Sequence, residues 1–340
     1  MRDDEHTGRG QISRRTFLAG ALAAGASLAI GKDAFSMMAP PPPGIKPEVL
    51  SLRAGSDGKF RILLVTDLHF FANHVVDIGT VQDIKSIARK YKPDLMIPTG
   101  DVWHNNPDGQ GIERCEWSCE QLGGVDVPWA FVWGNHDSLD DYNKGHAMIR
   151  AAENSLYRGD AADGNYRLAI KGASSEETLV NLLLINDSRA GMTQEQVDWF
   201  NLVTQEIQEE STRIPPAFMF FHIPVKQYED LSYTSRAIGV KGERVSYDKG
   251  TAAPFRVFAK SGYVKATFCG HDHLSNYWGD MRGVRLEYIR ATGYGGYGGD
   301  RCRKGATIID IDTLTGNIVS TVVFADGSKW APKNFVAYSF

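Results

Sequence analysis

Five short apolar runs in this chain each end in residues that bind metals or move protons. The clusters are Asp67-Leu68-His69, Gly100-Asp101, Gly134-Asn135-His136-Asp137, His222 and Gly270-His271-Asp272-His273. The runs before them have the length and β-branched content of buried strands, and stretches with helical spacing lie between several of them. This alternation indicates an α/β sheet with helices on its faces, in which functional groups gather at the carboxyl ends of the strands.

The histidines are concentrated in these clusters. The chain has nine histidines, and five of them, at 69, 136, 222, 271 and 273, follow predicted strands. A core or turn histidine explains any one cluster, but it does not explain five in this order. Side chains alternate along an extended chain, so Asp67 and His69 share a side, and so do His271 and His273. Carboxylates and imidazoles at one sheet edge predict a metal site.

The remaining pattern predicts the secondary structure around the clusters. Strands are predicted at 60–66, 95–97, 129–133, 179–185, 218–221, 264–268 and 286–291, with a closing hairpin at 306–311 and 317–324. Helices are predicted at 78–91, 112–122, 139–152 after a Ser138 cap, 193–210 and 253–261. The strand-rich last third predicts a second sheet packed on the first.

Size and charge limit the classes of protein to consider. A chain of 340 residues with 42% hydrophobic residues buries a large core without disulfides or structural metals. The net charge of −4 gives no basic excess for a nucleic-acid track or an anionic membrane surface, so we expect no nucleic-acid partner. Cys115 and Cys119 are four residues apart on one predicted helix face, and both pairing after export and simple packing remain open.

The N-terminus predicts export. Residues 1–36 contain Arg14-Arg15 followed by the apolar run 17–30, which together are typical of a twin-arginine signal. The run is too short for a convincing membrane span, and no cysteine follows it to carry a lipid, so we expect no stable membrane anchor. The expected location is the periplasm, with the twin-arginine export machinery as partner. Predicted boundaries are a signal at 1–36, a linker and leading strand at 37–59, a main domain at 60–325 and a tail at 326–340.

In this order, the clusters resemble the motifs D-x-H, G-D, G-N-H-D, H and G-H-x-H of the calcineurin-like metallophosphoesterase superfamily. The resemblance covers about residues 60–325. It implies an α/β fold, a four-layer α/β/β/α sandwich of two mixed sheets, with a dinuclear metal centre at the carboxyl ends of the strands. Asp67-Leu68-His69-Phe70, Gly270–His273 and the Gly/Tyr stretch 293–299 are most similar to a branch related to purple acid phosphatases.

The resemblance also assigns residues to the metals. It implies that Asp67, His69 and His273 hold one ion, that Asn135, His222 and His271 hold the other, and that Asp101 bridges them. Fe, Zn, Mn or similar divalent or trivalent ions suit these ligands. His136 would be a general acid or a charge stabiliser. Asp137 would orient His136, or it would be a turn residue, and both readings stay open.

Two departures from the family narrow the choice of branch. Purple acid phosphatases carry a metal-bound Tyr three residues after the bridging Asp, and this chain has His104 there. The purple colour that this Tyr gives with iron is therefore not expected. The Ser/Thr phosphatases of the superfamily carry an Arg after the Gly-Asp motif that is missing here. The glycine-rich stretch 293–299 is followed by no helix, so we expect a turn near the site rather than a dinucleotide-binding loop.

These observations predict an exported, dinuclear metal-dependent phosphoesterase. We expect it to hydrolyse a small phosphomonoester by attack of a metal-bridging hydroxide. The alternatives are a phosphodiesterase acting on nucleotides or glycerophosphodiesters, and, from another class, a non-catalytic protein that binds a phosphate ligand. A periplasmic nuclease is a third alternative, which the acidic chain disfavours.

Overall fold

Two mixed sheets form the centre of the computed structural model, which describes residues 48–188, 191–247, 249–250 and 253–338. In chain order the strands are β1 (Leu50–Arg53), β2 (Lys59–Val65), β3 (Leu95–Pro98), β4 (Tyr166–Lys171), β5 (Thr178–Leu184), β6 (Ala217–Phe220), β7 (Ile238–Lys241), β8 (Val264–Cys269), β9 (Asn276–Met281), β10 (Val284–Tyr288), β11 (Ala306–Asp312), β12 (Asn317–Val323), β13 (Lys329–Trp330) and β14 (Phe335–Ala337). The larger sheet has the order β1-β4-β5-β6-β8-β10-β9-β7-β14, and the smaller one β13-β12-β11-β2-β3.

Helices connect many of these strands. They are α1 (Val75–Tyr91), α2 (Gly111–Gly123), α3 (Tyr142–Ala151), α4 (Gln194–Glu210), α5 (Gln227–Ser232) and α6 (Pro254–Ser261), with a 3-10 turn at Gly159–Ala162. The start of α4 shows why the sequence predicts it well, because Thr193 and Gln196 form a reciprocal capping box. Among the described helices, none has both the length and the apolar character that a membrane span requires.

Packing between and outside the sheets gives the four layers that the resemblance implies. Leu64 of the smaller sheet and Phe218 of the larger sheet belong to one buried cluster, which also takes in Ile84 of α1. The opposite face of the larger sheet carries a second cluster, in which Met219 packs with Phe200 of α4 and Phe258 of α6. The expectation of an α/β fold with two mixed sheets is confirmed.

Parallel pairing brings the carboxyl ends of the strands together. In the smaller sheet, β2 runs parallel to β3, with Leu64 opposite Ile97. In the larger sheet, β6 runs parallel to β8, with Phe220 opposite Phe268. Residues that follow these four strands therefore emerge at the same ends of their sheets, which is where the sequence places its polar clusters.

The predicted strand 129–133 is an extended segment beside β3 rather than a regular strand. It makes isolated bridges at Met96–Trp129 and Thr99–Val132. The nitrogen of Val132 donates to the carbonyl of Pro98 at 3.0 Å, but Pro98 has no N–H to return. The ladder is therefore interrupted at the proline.

The helix predicted over 139–152 begins later than expected. It starts at Tyr142, and the cap is Asp141, whose side chain accepts from the backbone nitrogen of Lys144. The hydroxyl of Ser138 instead accepts from the backbone nitrogen of Asn106 at 2.9 Å. Ser138 thus ties two loops together, and the predicted cap at this residue is wrong.

The chain ends bear on the predicted boundaries. The predicted signal at 1–36 and the linker residues up to 47 lie outside the described residues. Within the predicted leading segment, β1 pairs with β4. The segment predicted as a tail supplies β13 and β14, which pair with β12 and β7.

Cys115 and Cys119 are buried free thiols in α2, which corresponds to the packing alternative.

Candidate metal centre

Six of the predicted metal ligands converge at the ends of β2, β3, β6 and β8. They form two groups, Asp67 with His69 and His273, and Asp101 with His222 and His271, and within each group the ligand atoms lie within 4.8 Å of one another. This division matches the one that the family motif implies. The six side chains come from four loops, which share only their position at strand ends.

The two groups are in contact with each other. In the first group, Nε2 of His273 lies 3.2 Å from Oδ1 of Asp67 and 3.2 Å from Nε2 of His69. In the second, Oδ2 of Asp101 lies 3.1 Å from Nε2 of His222. The same Asp101 oxygen lies 3.7 Å from Nε2 of His69, in the first group. Asp101 therefore faces both groups, which is the position that a bridging carboxylate needs.

The backbone of the site is strained. Asp67, His69, Asp101 and His271 all adopt left-handed conformations, with φ of 54°, 49°, 52° and 79°. Residues other than glycine rarely do so, and each costs about 1–3 kcal/mol. Such costs persist only where the surroundings enforce them. Here the backbone nitrogens of Asp67 and His69 donate to the carbonyls of Gly100 and Asp101, at 3.1 and 3.0 Å.

Contacts behind His222 hold its ring in one orientation. Its Nδ1 lies 2.9 Å from the carbonyl oxygen of Thr99. The carboxylate of Asp187 accepts from the backbone nitrogens of His222 and Ile223, both at 3.0 Å. A carbonyl can only accept, so Nδ1 carries a hydrogen and Nε2 is the atom that faces the centre.

Burial and charge set the protonation of five of these side chains. Burial lowers the pKa of His69 to about 3 and that of His271 to about 4. Burial also works against charging His222, yet the carboxylates of Asp101 and Asp67 raise its pKa to about 10. Burial opposes ionisation of Asp101, but the nearby His222 lowers its pKa to about 2. The carboxylates are thus ionised, and His69 and His271 are neutral.

The glycine-rich stretch lies directly against the site, as the sequence predicts for a turn. An added Cβ at Gly293 would lie 2.2 Å from the carbonyl oxygen of Leu68, and one at Gly295 would lie 2.3 Å from that of His69. At Gly296 it would lie 2.5 Å from Cε1 of His273. Only glycine lets the backbone approach this closely.

The loop after the extended segment 129–133 places His136 beside the first group. The ring centroids of His136 and His69 are 4.8 Å apart, and the backbone nitrogen of His136 donates to Oδ1 of Asp101 at 2.8 Å. Its buried Nδ1 has no hydrogen-bond partner among the described residues. Asn135, the predicted seventh ligand, has an exposed side chain next to this loop, and its role stays a prediction.

The structure does not pair Asp137 with His136. One oxygen of Asp137 accepts from the backbone nitrogens of Val102 and Trp103, at 2.7 and 3.0 Å. The other accepts from the nitrogen of Gly134 at 2.7 Å. The carboxylate is buried and points into the loops rather than at the catalytic candidate. These contacts correspond to the turn-residue alternative and assign it no catalytic contact.

His104 extends the cluster on the open side. Its ring centroid lies 4.5 Å from that of Phe71, with the two rings tilted by 36°, and 6.1 Å from that of His136. His69, His104 and His136 form a third group whose ring nitrogens lie within 4.8 Å of one another. The residue that replaces the family's metal-bound Tyr therefore still faces the centre.

The sequence patterns did not reveal two supporting residues, Asp187 and Glu243. Asp187, which holds the backbone of His222, follows β5 in the same way that the five clusters follow their strands, so that rule could have found it. Tyr297 stacks on His273 with ring centroids 3.9 Å apart, and its hydroxyl donates to Glu243 at 2.9 Å. Nothing local in the sequence links Glu243 to the site.

The donor set fits metal ions. Asp67 and Asp101 are each 1% exposed, and His222 is fully buried. Carboxylates this deep need a positive partner. The ionised carboxylates and the neutral His69 and His271 are in the forms that bind metals, and His222 would release its Nε2 proton on binding a cation. The residues that are present thus suit two cations of the Fe, Zn or Mn type.

The chain belongs to the calcineurin-like phosphoesterase family, whose sequence model matches residues 60–275. Among its relatives, "Probable inactive purple acid phosphatase 28" of Arabidopsis thaliana is 28% identical over 312 residues, covering 77% of each chain. "Phosphatase DCR2" of Saccharomyces cerevisiae is 24% identical over 268 residues, covering 66% of this chain and 46% of its own. A solved structure described as "GAP50 the anchor in the inner membrane complex of Plasmodium" shares the fold, with a TM-score of 0.51, 12% identity, and coverage of 81% and 88%.

Proposed function

We propose that this protein is a dinuclear metal-dependent phosphoesterase that hydrolyses a small phosphomonoester. The observation that carries the proposal is the pair of adjoining ligand groups, joined by Asp101, whose Oδ2 lies 3.1 Å from His222 and 3.7 Å from His69. Bound ions would supply charge neutralisation for the phosphoryl group and an activated water for its hydrolysis.

The chain's own residues then have distinct tasks. Asp67, His69 and His273 would hold the first ion, His222, His271 and Asn135 would hold the second, and Asp101 would contribute to both. His136 lies beside His69 and outside the shared contacts, with a ring free to face a substrate oxygen. It donates a proton to the leaving oxygen, or as imidazolium it stabilises the charge there. His104 and Phe71 border the leaving-group side.

The name of the plant relative raises the possibility of a protein without turnover. That relative is called probably inactive, whereas the yeast relative is called a phosphatase. In this chain all seven predicted ligands and His136 are present. Their presence supports catalysis over phosphate capture alone.

The decisive experiment is metal analysis of the purified protein beside hydrolysis of p-nitrophenyl phosphate and bis-p-nitrophenyl phosphate. Two metals per chain with faster monoester turnover would support the proposal. Faster diester turnover would favour the phosphodiesterase alternative. Two metals with no turnover of either substrate would favour the binding-protein alternative, and no metal after reconstitution would overturn the mechanism.

We also propose that the protein is exported to the periplasm by the twin-arginine machinery. The support is Arg14-Arg15 before the apolar run 17–30. Replacing both arginines with lysine should retain the protein in the cytoplasm of a bacterial host, as measured by fractionation. A matched change of Arg2 and Arg9 to lysine should leave export intact. Equal export of both variants would contradict the proposal.

A further inference from the structure

A cavity of about 680 Å³ lies outside the metal centre. It is bordered by β7, the start of β9, the segment 301–303 that precedes β11, and β13, and none of the seven predicted metal ligands lines it. Its described lining includes Arg290, Arg301 and Arg303 but no carboxylate. The volume is that of an ordinary small-molecule site, and all the charged side chains in the described lining are positive.

Arg290 is a buried cation without an anionic partner. It is 7% exposed, and it forms no salt bridge within the described part of the chain. Its guanidinium lies 4.7 Å from the ring of Trp330 and its Nη1 contacts Sγ of Cys302. The Nε atom has no hydrogen-bond partner among the residues that the structure describes. A cation–π contact offsets only part of the cost of burying an unpaired charge.

The other two arginines differ in their availability. Arg303 is already engaged, because it pairs with Asp326 at 2.8 Å and lies 4.1 Å from the ring of Phe324. Arg301 is exposed at the cavity, and its side chain makes no ion pair with any residue that the structure describes. Arg290 and Arg301 therefore offer two positive charges to a ligand, which suits a dianion.

An unused acceptor lies on the same cavity wall. Asn276 is 5% exposed, and its Nδ2 donates to the carbonyl of Tyr288 at 2.7 Å. Its Oδ1 has no partner among the described residues. A ligand donor, such as a hydroxyl or an N–H, would satisfy this oxygen. The rings of Trp330 and Tyr338 add flat apolar surface to the lining.

We infer that this cavity is a second ligand site, which takes a small organic phosphate that carries a ring. Arg290 and Arg301 bind the phosphate through charge-assisted hydrogen bonds, and the ring packs against Trp330 and Tyr338. The site is separate from the proposed hydrolysis. Leu274, which lines the cavity, directly follows the predicted ligand His273, so the two sites are neighbours along the chain.

The test is calorimetric titration of the metal-loaded protein with phenylphosphonate, whose P–C bond the proposed activity does not cleave. Binding at the metal centre is separated by repeating the titration in an Asp101→Asn background. In that background we expect binding to persist. Arg301→Gln should weaken it about tenfold or more, since a hydrogen bond to a charged group contributes about 1.5–3 kcal/mol. Arg290→Met should abolish it.

The controls vary the position and the sign of charge. Arg256→Gln, which changes an exposed arginine on α6 outside the cavity, should bind phenylphosphonate like the unmodified chain. Benzylammonium, with a similar ring and a positive charge, should not bind. The inference fails if Arg301→Gln and Arg256→Gln bind alike, if benzylammonium binds as well, or if all phosphonate binding disappears with Asp101→Asn. Because Arg301 is exposed, its variant remains informative if Arg290→Met does not fold.

Discussion

Nδ1 of His222 lies 2.9 Å from the carbonyl oxygen of Thr99, a backbone atom that no side-chain substitution removes. This contact sets the tautomer of the ring and turns Nε2 toward Asp101. The neighbouring Gly100 makes the contact possible, since its φ is +83° and an added Cβ would lie 2.5 Å from Nδ1 of His222. The metal centre thus depends on the absence of a side chain.

Gly100→Ala should displace the His222 ring and reduce metal binding to fewer than two ions per chain. The matched control is Gly262→Ala, because Gly262 has a similar φ of +75° but nothing within 4 Å of an added Cβ. Both variants carry the same kind of backbone strain, but only the first crowds a ligand. Metal content measured by elemental analysis would be equal in the two if crowding at His222 were unimportant.

Asp101→Ala should lose one or both metals, because its carboxylate faces both ligand groups. Asp101→Asn keeps the size of the side chain and removes its charge, so it should also lose metal while retaining the fold. Asp198→Ala, on the exposed side of α4, serves as the control. Full metal occupancy in both Asp101 variants would remove the bridging assignment.

His136→Ala should retain both metals and lose turnover. The ring lies 4.8 Å from that of His69 but outside the two three-residue ligand groups. General acid catalysis is worth about 10²–10⁴-fold, and the loss should be largest for substrates with poor leaving groups. The measurement is kcat for alkyl and aryl phosphates at equal metal content. Unchanged turnover of the alkyl phosphate would refute the role.

Asp137→Ala should act on stability rather than on the chemical step. Its carboxylate accepts three backbone N–H groups, from Val102, Trp103 and Gly134. Leaving these donors buried and unpaired costs about 1–3 kcal/mol each, so the free energy of unfolding should fall by about 3 kcal/mol or more. Urea denaturation compares this variant with His136→Ala, which should lose far less stability. An equal loss in the two variants would argue against this assignment.

His146 should make stability depend on pH through one identifiable group. Burial lowers its pKa to about 4, and the charge of Asp160 only partly opposes this. Its Nδ1 lies 2.6 Å from the hydroxyl of Tyr157, which also accepts from Nε1 of Trp133. The Tyr157 hydroxyl therefore donates to an unprotonated Nδ1.

The direction of this pH dependence follows from comparing the pKa of His146 in the folded and unfolded chains. The unfolded histidine takes up a proton as the pH falls through about 6.5, while the folded one resists until about pH 4. The contribution of neutral His146 to the free energy of unfolding is therefore complete above pH 6.5 and is lost as the pH falls from 6.5 to 4. It amounts to about 3 kcal/mol. His146→Gln should lose less stability over that interval, as measured by urea denaturation at each pH. Parallel pH profiles for the two proteins would contradict the assignment.

Much of the site could be predicted because its ligands follow apolar runs that can be recognised as strands in the sequence. Asp67 and His273 both follow apolar runs long enough to be read as strands, and parallel strands bring their ends together. The support from Thr99 could not be predicted, because a carbonyl oxygen carries no residue identity. Asp187 was missed for a different reason, since a single carboxylate after a strand looks like a turn residue.

Strands were predicted where burial gives the sequence a continuous apolar run, and they were missed where the strand is short and half-exposed. Strand β6 is buried at every position and reads as a continuous apolar run. Strands β7 and β14 are short and half-exposed, and their pairing depends on residues almost a hundred positions apart in the chain, such as Val240 and Val336. The segment 129–133 has strand composition, yet Pro98 interrupts its ladder.

The two margins of the larger sheet are β1 and β14, its first and last strands along the chain. Each therefore covers the open edge of a more interior strand, β4 on one side and β7 on the other. Trimming either end for expression would uncover a row of unpaired N–H and C=O groups, which invites strand exchange between molecules. Self-association after truncation would then reflect lost edge protection rather than a natural oligomer.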